Sequence, residues 1–195
     1  PEDLNTQLIL GGWFLEAKGT VADAGPVNLI VSGISANITN AQFVAEIPVE
    51  IGQNTSVAKA SDGFLNVGTA NVDFIVDVEG PAVNLASPPT DYLTNAAQIE
   101  LVGIAADDHL DEVFVNSGAI AHSNGQFSSV ISLVEGENSY SIEATDLASN
   151  STLFQGSVTR DSLPPVLIVS SPSQGLMTTA TQVLCTGQTS DAHFN

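Results

Sequence analysis

The sequence contains very little positive charge. Only Lys18, Lys59 and Arg160 are basic among 195 residues, whereas 22 residues are Asp or Glu, so the net charge at pH 7 is −19. Nucleic acids are bound through Lys and Arg that displace counterions from phosphates, and anionic membranes attract the same residues. The balance therefore argues against nucleic acid and anionic membranes as partners, while it leaves many carboxylates available to cations.

Cysteine, long apolar runs and charge in general are also scarce. The single cysteine, Cys185, excludes an intrachain disulfide, and no apolar run approaches the roughly 20 residues of a membrane span. Charged residues make up only 13% of the chain, and small polar residues are abundant. This composition is typical of a β-rich extracellular or cell-surface protein, and the lack of disulfides favours a bacterial one. The sequence begins with Pro1 and contains neither an initiating Met nor a signal peptide, so we expect the chain to be part of a longer protein.

What the sequence does contain is an internal repeat with a period of 84 residues. Residues 16–80 match residues 100–164 at 15 of 65 positions, and residues 81–111 match residues 165–195 at 9 of 31 positions. A fixed period indicates an array of one structural unit.

The period predicts two modules and a fragment of a third. Module 1 covers residues 1–80 and lacks the start of its first strand, module 2 covers residues 81–164, and residues 165–195 supply the first two strands of an incomplete third module. Cys185 occupies the position of Leu101 in module 2, so we predict that it is a small core residue.

Alternation of apolar and polar residues predicts about seven short strands in a complete module. In module 2 one such strand places Leu101, Gly103 and Ala105 on the same face. The pair Asn124-Gly125 is a strong signal for a two-residue hairpin. No stretch has helical periodicity. The predicted fold is all-β, with tandem antiparallel sandwiches of immunoglobulin (Ig) type.

Turn and linker motifs in module 2 resemble a known family. The segments 113–116, 135–138, 144–150 and 161–165 are similar to those of the tandem bacterial Ig-like repeats, which are similar to the B domain of glucodextranase. The resemblance implies a spacer, stalk or adhesive array without catalytic activity. Module 1 departs from the pattern at residues 62–66 and in its linker at residues 79–81.

The sequence contains several acidic turns but no recognisable enzyme motif. There is no Gly-x-Ser-x-Gly elbow, phosphate-binding loop or zinc motif, so we predict that the chain is not an enzyme. Carboxylates and amides recur in register, and they are the ligands that Ca²⁺ takes. The candidate calcium ligands are Asp62, Asp77, Asp107, Asp111, Asp146, Asn150 and Asp161. The alternative is that these residues cap backbone amides in turns.

The incomplete third copy also leaves two interpretations open. It is either the cut end of a longer array or an assembly element that adds a strand to another subunit. The candidate assembly residues are Val166, Leu167, Ile168, Val169 and Ser170. Strand addition repeated head to tail would give an open filament.

From these observations we expect a non-enzymatic extracellular or cell-surface protein whose modules form a stalk or spacer. Its expected partners are adjacent modules, copies of itself or extracellular ligands. No cofactor is assigned, and structural calcium is the one candidate. Two alternatives remain: a filament subunit joined by β-strand complementation, and accessory modules of a secreted carbohydrate-active enzyme. A glycan-binding module is disfavoured because no aromatic cluster recurs between the copies.

Overall fold

Every regular element of the computed structural model is a β-strand. The structure describes residues 6–9 and 12–193, and eighteen strands lie within them. The contacts divide the chain into two compact units, Pro1–Glu79 and Gly80–Asn195. Within the described ranges, no helix is long and apolar enough to cross a membrane. The first five residues of module 1 lie outside the described residues, so the prediction that its first strand lacks its start stays a prediction.

The first unit is an antiparallel assembly of seven strands. They are β1 (Thr6–Ile9), β2 (Gly12–Thr20), β3 (Val27–Val31), β4 (Ile34–Thr39), β5 (Gln42–Val49), β6 (Gly52–Asp62) and β7 (Val67–Val76). Their order across the sheets is β1-β2-β5-β4-β3-β6-β7. Strand β4 changes partner along its length, because residues 34–36 pair with β3 and residues 37–39 pair with β5. The two layers of the sandwich are therefore joined through β4.

The core of module 1 lies between these two layers. Strand β5 alternates strictly, with Phe43, Ala45, Ile47 and Val49 buried and the residues between them exposed. These side chains pack with residues of β2, β3 and β7, and Trp13 lies partly buried at the margin of the cluster. Burying an aliphatic or aromatic side chain of this size stabilises the fold by about 1.5–3 kcal/mol.

Module 2 divides the corresponding strands between two separate sheets. The strands are β8 (Ala82–Ser87), β9 (Tyr92–Thr94), β10 (Gln98–Ala106), β11 (Leu110–Val115), β12 (Gly118–Ile120), β13 (His122–Ser123), β14 (Gln126–Ser132), β15 (Gly136–Asp146) and β16 (Ser151–Arg160). One sheet has the order β13-β14-β10-β8, and the other has the order β12-β11-β15-β16-β9. The first strand is shared between the layers, since β8 pairs antiparallel with β10 and β9 pairs parallel with β16.

The core of module 2 contains the side chains that the sequence pattern places inward. Leu101, Val113, Ile142 and Ala144 are fully buried, and Ala105 is 1% exposed. Asn124 and Gly125 both have positive φ and join Ser123 to Gln126, as expected for a two-residue hairpin. The prediction of tandem antiparallel Ig-like sandwiches is confirmed.

The third copy is a two-stranded sheet of β17 (Val166–Ser171) and β18 (Thr186–Ser190). Apart from Ser171, every residue of these two strands is exposed. Cys185 is also exposed, so the prediction that it is a core residue is wrong. In module 2 the equivalent Leu101 is covered by a second sheet, whereas β17 and β18 form a sheet with no further strand among the described residues.

Candidate functional site

A groove of about 520 Å³ opens along the side of module 1. Its walls are residues 18–22, at the end of β2 and just beyond it, and residues 68–72 of β7. Its floor is apolar core, including Leu29, Ile47 and Phe74. Among the described residues that line the groove there is no Asp or Glu, and the charged residue is Lys18. In a chain with a net charge of −19, this is a surface of unusually apolar character.

Module 2 shows what lies at the equivalent position there. Residues 102–106 of β10, which correspond to residues 18–22, pair with β8. The β8 side chains Val83 and Leu85 pack against the module 2 core. Among the described residues of module 1, β1 pairs with β2 from Gly12 to Leu15. Within the described part of the chain, the groove lies beside the residues of β2 whose equivalents in module 2 pair with the first strand.

A repeated glycine marks the same position in all three copies. A Cβ added to Gly103 would lie 2.7 Å from the backbone oxygen of Asn84 in β8, and one added to Gly187 would collide with the backbone oxygen of Ile168 in β17. At Gly19 the nearest atoms to an added Cβ belong to the Phe43 ring. The glycine that admits a first strand in the other copies is thus present in module 1, beside the groove.

The acidic loops of both modules are closed by their own hydrogen bonds. Asp146 is 2% exposed, and its Oδ1 accepts hydrogen bonds from the backbone amides of Ala148 (2.9 Å) and Asn150 (2.8 Å). Its Oδ2 accepts a hydrogen bond from Asn150 Nδ2 at 2.8 Å. The same three bonds recur between Asp62 and residues 64–66, and the Asn66 side-chain bond holds the pKa of Asp62 below its usual value. These carboxylates act as turn caps, and any cation would share them with protein donors.

The turns that follow the second strand of each copy use the same cap. Asp23, Asp107 and Asp191 each accept a hydrogen bond from the backbone amide two residues later, at 2.8, 2.7 and 2.8 Å. Asp77 and Asp161 cap their linkers in the same way, at 3.2 and 3.1 Å. Asp111, in contrast, lies within β11 rather than in the turn. The cap is therefore the role that the described hydrogen bonds give to these aspartates.

In the second unit the structure brings one of these aspartates together with two residues of the third copy. His193 Nδ1 lies 2.7 Å from Asp161 Oδ2, and side-chain oxygens of Asp161 and Asp191 lie with His193 Nδ1 within 4.8 Å of one another. The His193 hydrogen bond is the largest cause of a lowered pKa at Asp161. The same residue types recur in sequence 84 residues earlier, which is the signal that could have added Asp191 and His193 to the predicted ligands. Calcium binding at any of these residues stays a prediction.

Glu135 contacts both the end of the last strand of module 2 and the linker that follows it. Glu135 accepts hydrogen bonds from Ser162 N (3.0 Å) and Ser162 Oγ (2.8 Å), and its Oε2 lies 3.8 Å from Arg160 Nη1. This network holds residues 160–162 against the turn that precedes β15. The linker between module 2 and the third copy therefore leaves the sandwich in a defined direction.

Comparison with known proteins finds a family that module 2 resembles. Residues 81–161 match the family described as glucodextranase, domain B. Module 2 is an Ig-like repeat similar to that family. The match runs from Pro81 to the linker aspartate Asp161, all but the last three residues of module 2, and it confirms the resemblance seen in the turn and linker motifs.

Other similarities are more distant or partial. Bacillopeptidase F of Bacillus subtilis (strain 168) is 32% identical over 111 residues, which is 56% of this chain but only 8% of that protein. The fibronectin(III)-like modules of Clostridium thermocellum CbhA are 17% identical, with a TM-score of 0.46 over 76% of this chain and 86% of theirs. The titin Ig tandem domains A164-A165 are 8% identical, with a TM-score of 0.32 over 78% of this chain and 90% of theirs.

Proposed function

We propose that this chain is a non-catalytic spacer, built from Ig-like modules, in an extracellular protein. The observation that carries the proposal is the shortness of the connections. Five residues separate β7 from β8, and five separate β16 from β17. Connections of this length, with Pro164 and Pro165 in the second, restrict the backbone angles available between successive modules. A stalk that projects another part of a protein needs such restricted joints.

The acidic surface supports the same role. A net charge of −19 with only three basic residues keeps neighbouring chains soluble and apart. We also propose that the polar loops serve the fold rather than a reaction, because their carboxylates are engaged as turn caps. Calcium that binds beside Asp161 would further stiffen the second joint, and this remains part of the proposal.

A second candidate is an accessory segment of a secreted enzyme. It is supported by the match to glucodextranase, domain B, and by the similarity to Bacillopeptidase F. The matched segment is 8% of the length of that relative, so the chain would contribute spacing while another part of the protein contributes catalysis. Both candidates assign the same mechanical role to these modules.

Distances between spin labels test the spacer role. In a Cys185→Ser background, Ser35→Cys and Ala119→Cys place labels at exposed equivalent positions of the two modules. With the native linker, electron–electron double resonance should give a narrow distribution of distances between the two labels. Inserting Gly-Ser-Gly-Ser after Glu79 should broaden this distribution at least twofold. The same insertion after Gly175, in the third copy, serves as the matched control and should change nothing. A distance distribution in the chain with the native linker as broad as that of the variant with the insertion after Glu79 would contradict the proposal.

A further inference from the structure

We propose that Asn37 is an N-glycosylation site, at which an oligosaccharide is attached to the outward face of β4. The inference goes beyond the spacer role, but it rests on the extracellular location proposed above, because N-linked glycans mark secreted and surface chains. The acceptor pattern is Asn-x-Ser/Thr with any middle residue except Pro. It occurs at residues 37–39, 54–56 and 150–152.

The environment of each asparagine distinguishes the three patterns. A chain rich in Asn, Ser and Thr contains this pattern by chance, so the pattern alone decides nothing. The sugar is attached to the side-chain Nδ2, which afterwards carries one hydrogen and so donates one hydrogen bond instead of two. A suitable acceptor therefore has an exposed Nδ2 that the fold does not use, and an exposed hydroxyl two residues later.

Strand β4 presents both required side chains on its outward face. Asn37 and Thr39 are exposed, while Ile38 between them packs against the core of module 1. Alternation along a strand explains this arrangement, since residues i and i+2 point to the same side. Among the described residues, neither polar side chain has a hydrogen-bond partner. Asn37 therefore meets both requirements of an acceptor.

The backbone of the same tripeptide is open on one side. Residues 34–36 pair with β3, whereas residues 37–39 pair with β5, so the second half of β4 has no described partner on the side of β3. Module 2 changes partner at the equivalent place, with β12 beside β11 and β13 beside β14. The open edge is therefore a property of the complete repeat. A transferase that binds an extended tripeptide can reach it without unfolding the module.

Asn54, in contrast, is held inside a turn. Its Nδ2 donates hydrogen bonds to the carbonyl oxygens of Glu50 (2.6 Å) and Gly52 (2.8 Å), and its Oδ1 accepts one from Glu50 N at 3.0 Å. The hydroxyl of Ser56 accepts a hydrogen bond from Ser32 Oγ at 3.2 Å. A glycan on Asn54 would remove one of the two donated bonds and place a sugar in a half-buried turn, at a cost in stability.

Asn150 is unsuitable for a similar reason. Its Nδ2 donates to Asp146 Oδ2 at 2.8 Å, and Asp146 is 2% exposed. A sugar on this atom would have to enter the buried cap. Thr152, which supplies the hydroxyl of this pattern, is half-buried as well.

A glycan at Asn37 would also cover an exposed apolar side chain. Val44 lies directly opposite Asn37 on β5 and is 50% exposed. Side chains of directly opposite residues lie side by side on one face of the sheet. Module 2 has Ala121 and Ser128 at the equivalent positions, so the acceptor and the exposed valine are both absent there. We expect the glycan to hydrate this face of module 1.

The transfer requires a donor of a defined chemical class, an oligosaccharide joined through a diphosphate to a membrane lipid. Asn37 Nδ2 attacks C1 of the first sugar, and the bond between C1 and the diphosphate oxygen breaks. The lipid diphosphate leaves with the bonding electrons, and one Nδ2 proton passes to a base of the transferase. No oxidant or reductant takes part.

Peptide mass spectrometry of the protein from its native source tests the site. Cleavage after Glu gives residues 17–46, 51–79 and 144–195 as separate peptides, so each pattern is measured alone. The first peptide should carry a series of sugar masses that fragmentation assigns to Asn37, and the asparagines of the other two patterns should be unmodified. An unmodified Asn37, or a glycan on Asn54 or Asn150, would overturn the proposal.

Two matched substitutions, expressed in the native host, test the role of the hydroxyl. Thr39→Ala keeps Asn37 and should lower glycan occupancy at least tenfold, whereas Thr39→Ser keeps a hydroxyl and should retain at least half of it. Residue 39 is exposed, so both variants should fold, which circular dichroism verifies. Equal occupancy in the two variants would contradict the assignment. Absence of the glycan does not alter the spin-label distances, so failure of this site and failure of the spacer role are distinguishable.

Discussion

The carboxylates of Asp146 and Asp62 accept the same three hydrogen bonds, but the two residues differ in burial. Asp146 is 2% exposed, whereas Asp62 is half-buried. Asp146→Ala removes the acceptor of three donors in a place where water replaces it poorly, so we expect a loss of about 2 kcal/mol in the free energy of unfolding of module 2. Asp62→Ala should cost module 1 less. Urea unfolding of each variant measures both values, and a larger loss at Asp62 would contradict this assignment of the cap.

The contact between His193 and Asp161 predicts a pH effect at the junction. The His193 hydrogen bond is the first cause of the lowered pKa of Asp161, so His193→Ala should raise that pKa toward its ordinary value. Because the folded pKa is the lower one, the contact contributes stability above the ordinary carboxyl pKa and loses it as the pH falls through the folded value. Carboxyl carbon chemical shifts, followed by NMR from pH 6 to pH 2, measure the change. An unchanged pKa would mean that the contact is absent in solution.

At the scale of the strand, the repeated glycine gives a differential prediction. An added Cβ at Gly103 meets both the Phe127 ring and the backbone of β8, whereas the contacts described for one at Gly19 are all with the Phe43 ring. A ring can shift and a paired backbone cannot, so Gly103→Ala should destabilise module 2 by about 1–3 kcal/mol, more than Gly19→Ala destabilises module 1. Thermal unfolding of the two variants measures the difference.

The strands themselves were predictable because alternation specifies which side chains face inward. Leu101 and Ala105 on β10, and the Asn124-Gly125 hairpin, follow from local pattern and turn chemistry. Pairing partners do not follow from local pattern. The division of the first strand between two sheets, on either side of Ser87 and Pro88, depends on contacts distant in sequence. Contacts distant in sequence also decide that β4 is one continuous strand in module 1, whereas the corresponding part of module 2 forms two separate strands, β12 and β13.

Cys185 shows the limit of the same reasoning. Its place in the repeat is a core position, but burial requires an opposing sheet, and periodicity cannot report whether one is present. The candidate site has the same limit. The caps at Asp107 and Asp146 follow from turn chemistry, which is the alternative to calcium binding at these residues. The contact of Asp161 with His193 joins residues 32 apart, and only the folded chain brings them together.

At the scale of the molecule, the aromatic residues report separately on the two units. The one tryptophan, Trp13, lies in module 1, and the two tyrosines, Tyr92 and Tyr140, lie in module 2. In the described part of the chain, module 1 has an open groove beside β2, whereas β8 covers the equivalent residues of module 2. We therefore expect Trp13 fluorescence to change at a lower urea concentration than the tyrosine signal in near-ultraviolet circular dichroism.

Urea unfolding followed by both signals measures the two midpoints. A Trp13 midpoint below the tyrosine midpoint would show that each unit unfolds by itself and that module 1 is the less stable one. Coincident midpoints would show that the two units unfold as one.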